Sequence, residues 1–338
     1  MLVDQYARTA HRLYNNGTRF ERGPLGRDDG PGQRLWYDAE EFLETLDLAS
    51  SKPDSRSFRR LSPIVRDILK EEAPGPDGVG EPIARVAAAA RRLLAAESNA
   101  FTQNADLDSE KYWPYVRWMR DLVGKNDAIV TFNYDFLLEL LGAAVPGKIQ
   151  ILATHQQPDT NFAYVYKLHG SINWKHDGTY ITPTPDRDFA LACPGEELAI
   201  GSPGPTKQTI MAKLENLWVG ARNAILAPET DCVVFVGYRF PPSDANAKQR
   251  LLTALAGSRA ESFAVHVVLG PKKSADDIVR LEAMLRYVLH NRDELPGTPG
   301  DIIRSTKRFS VTVQPLWAED FFTVMDEELL RQPWVARR

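Results

Sequence analysis

The chain has 338 residues, of which 43% are hydrophobic and 25% charged, so it can bury a substantial core and, at about 150 residues per domain, allows two structural units. A formal net charge of −4 gives no reason to expect binding to a phosphate backbone, and nucleic acid is therefore not an expected partner. No apolar run approaches the roughly 20 residues that span a bilayer, and no basic region followed by an apolar stretch opens the chain, so we expect a soluble, cytoplasmic protein without a membrane partner.

The first 125 residues are predicted to be helical with polar interruptions. Helical spacing of apolar residues predicts helices over 1–14, 37–49, 83–96 and 112–123, and the Pro- and Gly-rich segment 73–82 separates the second from the third. We expect this region to form a lid or small subdomain over a sheet.

From residue 126 onward, apolar strands alternate with helices. Strands are predicted at 128–133, 162–168, 232–236, 263–269 and 308–313, and helices at 136–143, 244–256, 275–290 and 318–330. A segment from about 182 to 207, rich in proline and glycine, is predicted to be an irregular loop. The alternation predicts an α/β fold in which residues 126–338 form a doubly wound, mostly parallel Rossmann-like sheet and residues 1–125 form the helical lid.

Three segments place polar residues where predicted strands end. They are Thr131-Phe-Asn133-Tyr-Asp135, Lys167-Leu-His169-Gly170-Ser171-Ile-Asn173-Trp174 and Cys232-Val-Val-Phe-Val-Gly237-Tyr238-Arg239-Phe-Pro-Pro-Ser243-Asp244. Enzymes with open parallel sheets carry their chemistry at the carboxyl ends of strands, so these segments predict a nucleotide-handling site.

Each candidate side chain also has a local interpretation. Asp135 begins a predicted helix, where it would cap free N–H groups, and Asn133 could serve as a turn residue after its strand. Asp244 follows Ser243 at another helix start and is interpreted as a cap, outside the catalytic set. His169 is either a hydrogen-bonded histidine at a strand end or a proton acceptor at the edge of the sheet.

In this order, the three segments resemble the signatures of the SIR2-like family, the bacterial relatives of sirtuins. The signature positions are Thr131 to Asp135, Leu168 to Gly170 and Gly237 to Arg239, and the resemblance spans roughly residues 125–270. The Asn-Tyr-Asp form and the Lys-Leu-His-Gly-Ser-Ile-Asn-Trp run are closer to the defence-associated, NAD-degrading branch than to protein deacetylases.

Sirtuin deacetylases usually hold a structural zinc with four cysteines, whereas this chain has Cys193 and Cys232 alone, so no zinc is expected. Two cysteines also give no disulfide framework, as expected for an intracellular protein.

The resemblance implies roles for nine residues in cleaving the bond between nicotinamide and ribose of NAD. His169 would contact the ribose hydroxyls as general base, Asn133 would position water and the reactive ribose, and Asp135 would hold the carboxamide of nicotinamide. Arg239, where the family often has serine, could pair with a phosphate. The residues implied to bind NAD are Thr131, Asp135, Gly170, Ser171, Gly237, Tyr238 and Arg239.

One family feature has no counterpart in the sequence. Members normally open with a strand and a Gly-Ala-Gly-x-Ser loop whose N–H groups hold the pyrophosphate of NAD, whereas the first glycines here, Gly17 and those within 23–32, follow no strand. Either the start of the chain misses an upstream segment, or part of the cofactor cradle has been lost.

Two functions from different classes therefore follow. The first is an NAD glycohydrolase that acts as an abortive antiphage effector, with a homo-oligomer or a sensor protein encoded nearby as its expected partner. The alternative is a catalytically degenerate SIR2-like module that binds a nucleotide or a protein.

Overall fold

A computed structural model describes most of the chain. The described residues are 2–18, 39–69, 77–154, 156–184, 189–195, 197–201, 210–240, 244–271, 274–290, 308–326, 328 and 330. The glycines of 23–32, and most of the second half of the predicted loop 182–207, lie outside them.

Four helices form the amino-terminal block: α1 (Leu2–Thr18), α2 (Ala39–Ser51), α3 (Arg56–Leu69) and α4 (Gly80–Gln103). Their buried apolar residues share one core, which includes Leu13, Leu46, Leu61 and Ile83. In α3 the buried positions Phe58, Leu61, Val65 and Leu69 recur three or four residues apart, so they form one stripe along the helix. A buried ion pair between Asp47 and Arg91 joins α2 to α4.

Helix α4 extends from this block to the sheets. It continues seven residues beyond the predicted end at residue 96, and contacts strands of the second half of the chain. Near its end, the Thr102 hydroxyl accepts a hydrogen bond from Phe136 N at 3.4 Å. The helix predicted over 112–123 is shorter, because α5 (Trp113–Arg117) passes into a π-helical turn, Trp118–Leu122.

Two parallel sheets of three strands each contain the five predicted strands and one strand, Ile149–Ile151, that was not predicted. The first has the order β1 (Ala128–Thr131), β3 (Ala163–Lys167), β2 (Ile149–Ile151), with helix α6 (Leu137–Ala144) between β1 and β2 in the chain. The second has the order β7 (Cys232–Val236), β8 (Ser262–Val268), β9 (Arg308–Gln314). Its connecting helices are α9 (Ala245–Ala256) and α10 (Ala275–His290), and α11 (Ala318–Val324) follows β9.

A third, antiparallel sheet was not predicted. It has the order β5 (Ile181–Pro183), β4 (Gly170–His176), β6 (Leu198–Ile200), and β6 lies inside the segment predicted to be an irregular loop. That loop prediction is therefore wrong for β6 and for the short helix α7 (Phe189–Ala192). Helix α8 (Glu215–Leu226), also absent from the prediction, precedes β7.

The fold is thus mixed α/β, as predicted. Among the described residues the hydrogen-bonded ladders form three separate sheets, so a single doubly wound Rossmann-like sheet stays a prediction, as does the domain boundary at 125/126.

β1 and β7 each pair along one edge, and their ends approach each other where the ring of Phe132 stacks on Tyr238 with centroids 4.7 Å apart. Within the described part of the chain, no helix is long and apolar enough to cross a bilayer.

Candidate functional site

A pocket of about 420 Å³ lies at the carboxyl ends of β1, β3 and β7. This volume falls in the range of small-molecule sites. Its lining comes from the loop after β1, the β3–β4 turn, the turn after β7 and one position of α4. The lining residues are Ser98, Phe132, Asn133, Tyr134, Asp135, His169, Gly237, Tyr238, Arg239 and Asp244.

The loop after β1 turns the chain sharply toward α6. The Thr131 hydroxyl accepts a hydrogen bond from Asn133 N at 3.0 Å, and Asn133 is exposed at the pocket. The Asp135 carboxylate accepts a hydrogen bond from Leu137 N at 3.0 Å, which is the capping geometry considered for it. A carboxylate has about four acceptor sites, so capping leaves Asp135 able to accept from a ligand.

His169 is buried at the base of the pocket. Its side chain is 4% exposed, and its Nε2 lies 3.6 Å from Oδ2 of Asp244, itself 6% exposed. The Tyr238 hydroxyl donates to the same Asp244 oxygen at 3.4 Å. The imidazole therefore faces a buried carboxylate, which restricts its orientation.

Aromatic rings surround the imidazole. The ring centroids of Phe132, Tyr134 and Trp218 lie 4.8, 6.3 and 6.4 Å from that of His169. Such rings exclude water and strengthen electrostatic interactions inside the pocket.

Three of the predicted residues, Thr131, Gly170 and Ser171, are not among those that line the pocket. Thr131 holds the turn at Asn133, as described above. Gly170 has φ +81°, and a Cβ at this position would lie 1.8 Å from the carbonyl oxygen of Ala199, so the close approach of β4 and β6 requires glycine. Ser171 is fully buried, and its hydroxyl accepts a hydrogen bond from Lys167 Nζ at 2.7 Å.

The turn after β7 holds two residues in the left-handed region. Gly237 has φ +75° and donates its N–H to Val268 O at 2.9 Å, while Phe240 has φ +55°. A bulky residue rarely adopts that conformation, and here packing compensates for it, since the Phe240 ring lies 4.9 Å from Phe235 and 5.0 Å from Tyr238. The turn presents Arg239 to solvent at the rim of the pocket.

Six of the nine predicted site residues therefore line one pocket: Asn133, Asp135, His169, Gly237, Tyr238 and Arg239. The sequence interpretation missed Ser98, Phe132, Tyr134 and Asp244. Phe132 and Tyr134 alternate with the predicted polar residues inside the first motif, which is a signal that could have found them. Asp244 was assigned to a helix cap, and Ser98 stands in no motif.

Metal binding and thiol nucleophiles are two further chemistries that the described residues could offer. No group of three or more His, Cys, Asp or Glu among them could hold a metal ion. Burial, together with Asp231 and Asp127, raises the pKa of the Cys232 thiol to about 12, so that thiol is not a nucleophile at neutral pH.

In a comparison with protein families, residues 127–288 match the family described as SIR2-like domain. The matched residues include all nine predicted site residues and β1 to β8. Comparison with curated proteins gives no match.

Proposed function

Because this chain belongs to the SIR2-like family through residues 127–288, we propose that it is an NAD glycohydrolase, which cleaves NAD to nicotinamide and ADP-ribose. The observation that carries the proposal is the convergence of Asn133, Asp135 and His169 with Arg239 on one pocket at the carboxyl ends of three strands.

The reaction breaks the bond between C1′ of ribose and N1 of nicotinamide. The bonding electrons leave with nicotinamide, which loses its pyridinium charge, and positive charge develops on the ribose ring. A water oxygen then bonds to C1′ and its proton passes to a base. Catalysis therefore needs a held leaving group, nearby negative charge and a positioned proton acceptor.

The pocket contains a candidate side chain for each of these catalytic requirements. Asp135 would accept hydrogen bonds from the carboxamide of nicotinamide, and Asn133, exposed at the pocket, would position water and the reactive ribose. His169 would contact the ribose hydroxyls and take the proton, with Asp244 stabilising the resulting imidazolium at 3.6 Å. Arg239 at the rim would pair with a phosphate of NAD.

The motif forms support a biological setting for this activity. The Asn-Tyr-Asp and Lys-Leu-His-Gly-Ser-Ile-Asn-Trp runs favour the defence-associated branch, so the protein would act as an abortive antiphage effector that depletes cellular NAD. A homo-oligomer or a sensor protein would release the activity. Infected cells carrying the intact gene should lose NAD before lysis, whereas cells carrying His169→Ala should keep it.

A second candidate is a module that binds a nucleotide or protein without catalysis. It is favoured by the open edges of β1 and β7, since the described residues supply neither a strand between them nor a glycine-rich phosphate loop beside the pocket.

Nicotinamide release from NAD by the purified chain, measured by chromatography beside NAD binding by calorimetry, separates the two. Release matched by equal ADP-ribose supports the glycohydrolase. Binding without release supports the second candidate, and the absence of both contradicts the two proposals for the isolated chain.

A further inference from the structure

Lys167, the last residue of β3, is buried in a position where a charged side chain is rarely found. Its side chain is 1% exposed, and lysine is almost never fully buried unless it is paired. It does not line the pocket, so no contact with a ligand accounts for its charge. Its burial therefore has to be explained by its protein partners.

The ammonium group donates three hydrogen bonds within the protein. Nζ lies 2.6 Å from the carbonyl oxygen of Asp135, 2.8 Å from Oε1 of Glu139 and 2.7 Å from Oγ of Ser171. A lysine ammonium has three N–H donors, so each one is used.

These partners belong to the two segments that carry the site. Asp135 stands in the loop after β1 and Glu139 in the first turn of α6, whereas Ser171 is the second residue of β4, two residues after His169. The two segments also share backbone contacts, since Tyr134 O accepts from Ser171 Oγ at 3.3 Å and from Ile172 N at 3.0 Å. The Lys167 ammonium thus donates hydrogen bonds to both segments and links them through its charge.

We propose that Lys167 is a positioning residue, which holds the loop of Asn133 and Asp135 at a fixed distance from His169. This inference rests on the proposed function for its effect on activity. The chemistry requires both segments to contact one ribose, and an error of about 1 Å in such an arrangement can cost about 100-fold in rate.

Three variants distinguish a role of Lys167 in positioning the site segments from a role in neutralising the Glu139 carboxylate. Lys167→Met removes the ammonium and leaves the Glu139 carboxylate without it. Lys167→Met with Glu139→Leu removes both charges, so no buried charge is left unpaired. Lys175→Met is the matched control, since Lys175 lies on the next strand, is 46% exposed at its side chain and pairs with Glu197 at 2.7 Å.

Three measurements are made on each variant of the full chain: thermal unfolding, kcat and KM for nicotinamide release, and amide hydrogen exchange of residues 132–139 and 168–172 without NAD. For Lys167→Met we expect faster exchange in both segments and a fall in kcat of about 100-fold, with KM little changed. In the double variant the melting temperature should return toward that of the wild type, while exchange stays fast and kcat stays low. Lys175→Met should match the wild type.

Recovery of kcat together with stability in the double variant would overturn the proposal, because Lys167 would then serve only to neutralise Glu139. Unchanged exchange in Lys167→Met would overturn it as well. If the wild type releases no nicotinamide, the proposed function fails while the exchange measurement still decides the role of Lys167. If Lys167→Met does not fold, Ser171→Ala removes one acceptor, and exchange should accelerate in both segments.

Discussion

His169 and Asp244 lie 3.6 Å apart, Nε2 to Oδ2, at the base of the pocket, although 75 positions separate them in the chain. His169 is delivered by the turn between β3 and β4, and Asp244 by the start of α9. A buried carboxylate beside an imidazole is a recurrent way to orient a general base and to stabilise its protonated form.

Replacing Asp244 with Asn should therefore lower activity without removing the pocket. We expect kcat for nicotinamide release to fall by at least about 10-fold, because the amide keeps the shape but loses the charge that stabilises the imidazolium. Asp277→Asn is the control, since that carboxylate is 49% exposed on α10. An Asp244→Asn protein as active as the control would show that the pair has no catalytic role.

The effect of close packing at Gly170 on the free energy of unfolding can be isolated by comparing alanine substitutions at Gly170 and Gly178. Both have positive φ, +81° and +94°, but a Cβ would clash with Ala199 O at Gly170 and would meet nothing within 4 Å at Gly178. Gly178→Ala should lower the free energy of unfolding by about 1 to 2 kcal/mol, because alanine is disfavoured in the left-handed conformation and the added Cβ meets no neighbour. Gly170→Ala should cost about 1 to 3 kcal/mol more, from overpacking. Urea unfolding measures both, and equal losses would contradict the close packing of β4 on β6.

His266, fully buried in β8, should make stability depend on pH. Burial lowers its pKa below the usual 6.5, and the carbonyl of Leu330, 3.3 Å from its Nε2, only partly opposes this. The unfolded chain binds the proton more readily, so this contribution is complete above the unfolded value and is lost as pH falls through the lower folded value. The melting temperature should drop more between about pH 8 and about pH 5.5 in the wild type than in His266→Val. Equal drops would show that this histidine does not set the acid sensitivity.

Five of the six parallel strands and the helices that connect them could be predicted from the sequence, whereas the short strand β2 was not. The strand 232–236 and the helix 275–290 have the predicted bounds, and the predicted bounds of β8 and β9 differ from the observed ones by one residue. These segments are apolar runs or regular amphipathic patterns, in which local spacing and burial favour the same structure.

The antiparallel sheet and part of the site could not be predicted in this way. The strands β5 and β6 have three residues each and are defined by pairing with β4, so their own sequence carries little signal. Ser98 reaches the pocket because α4 is longer than its alanine-rich centre suggested. Asp244 looks like a helix cap locally, and its contact with His169 depends on how β3 and β7 are placed in space, which no local pattern encodes.

Nicotinamide release by the wild type, compared with Asn133→Ala, His169→Ala and His290→Ala, tests most directly whether this pocket cleaves NAD. Asn133 and His169 line the pocket, whereas His290 is an exposed histidine at the end of α10. We predict release by the wild type and by His290→Ala, and a fall of at least about 100-fold in the other two. General base catalysis by His169 contributes about 10² to 10⁴, and misplacement of the water or ribose that Asn133 positions can cost about 10². Release that persists in both Asn133→Ala and His169→Ala would contradict the assignment of NAD cleavage to this pocket.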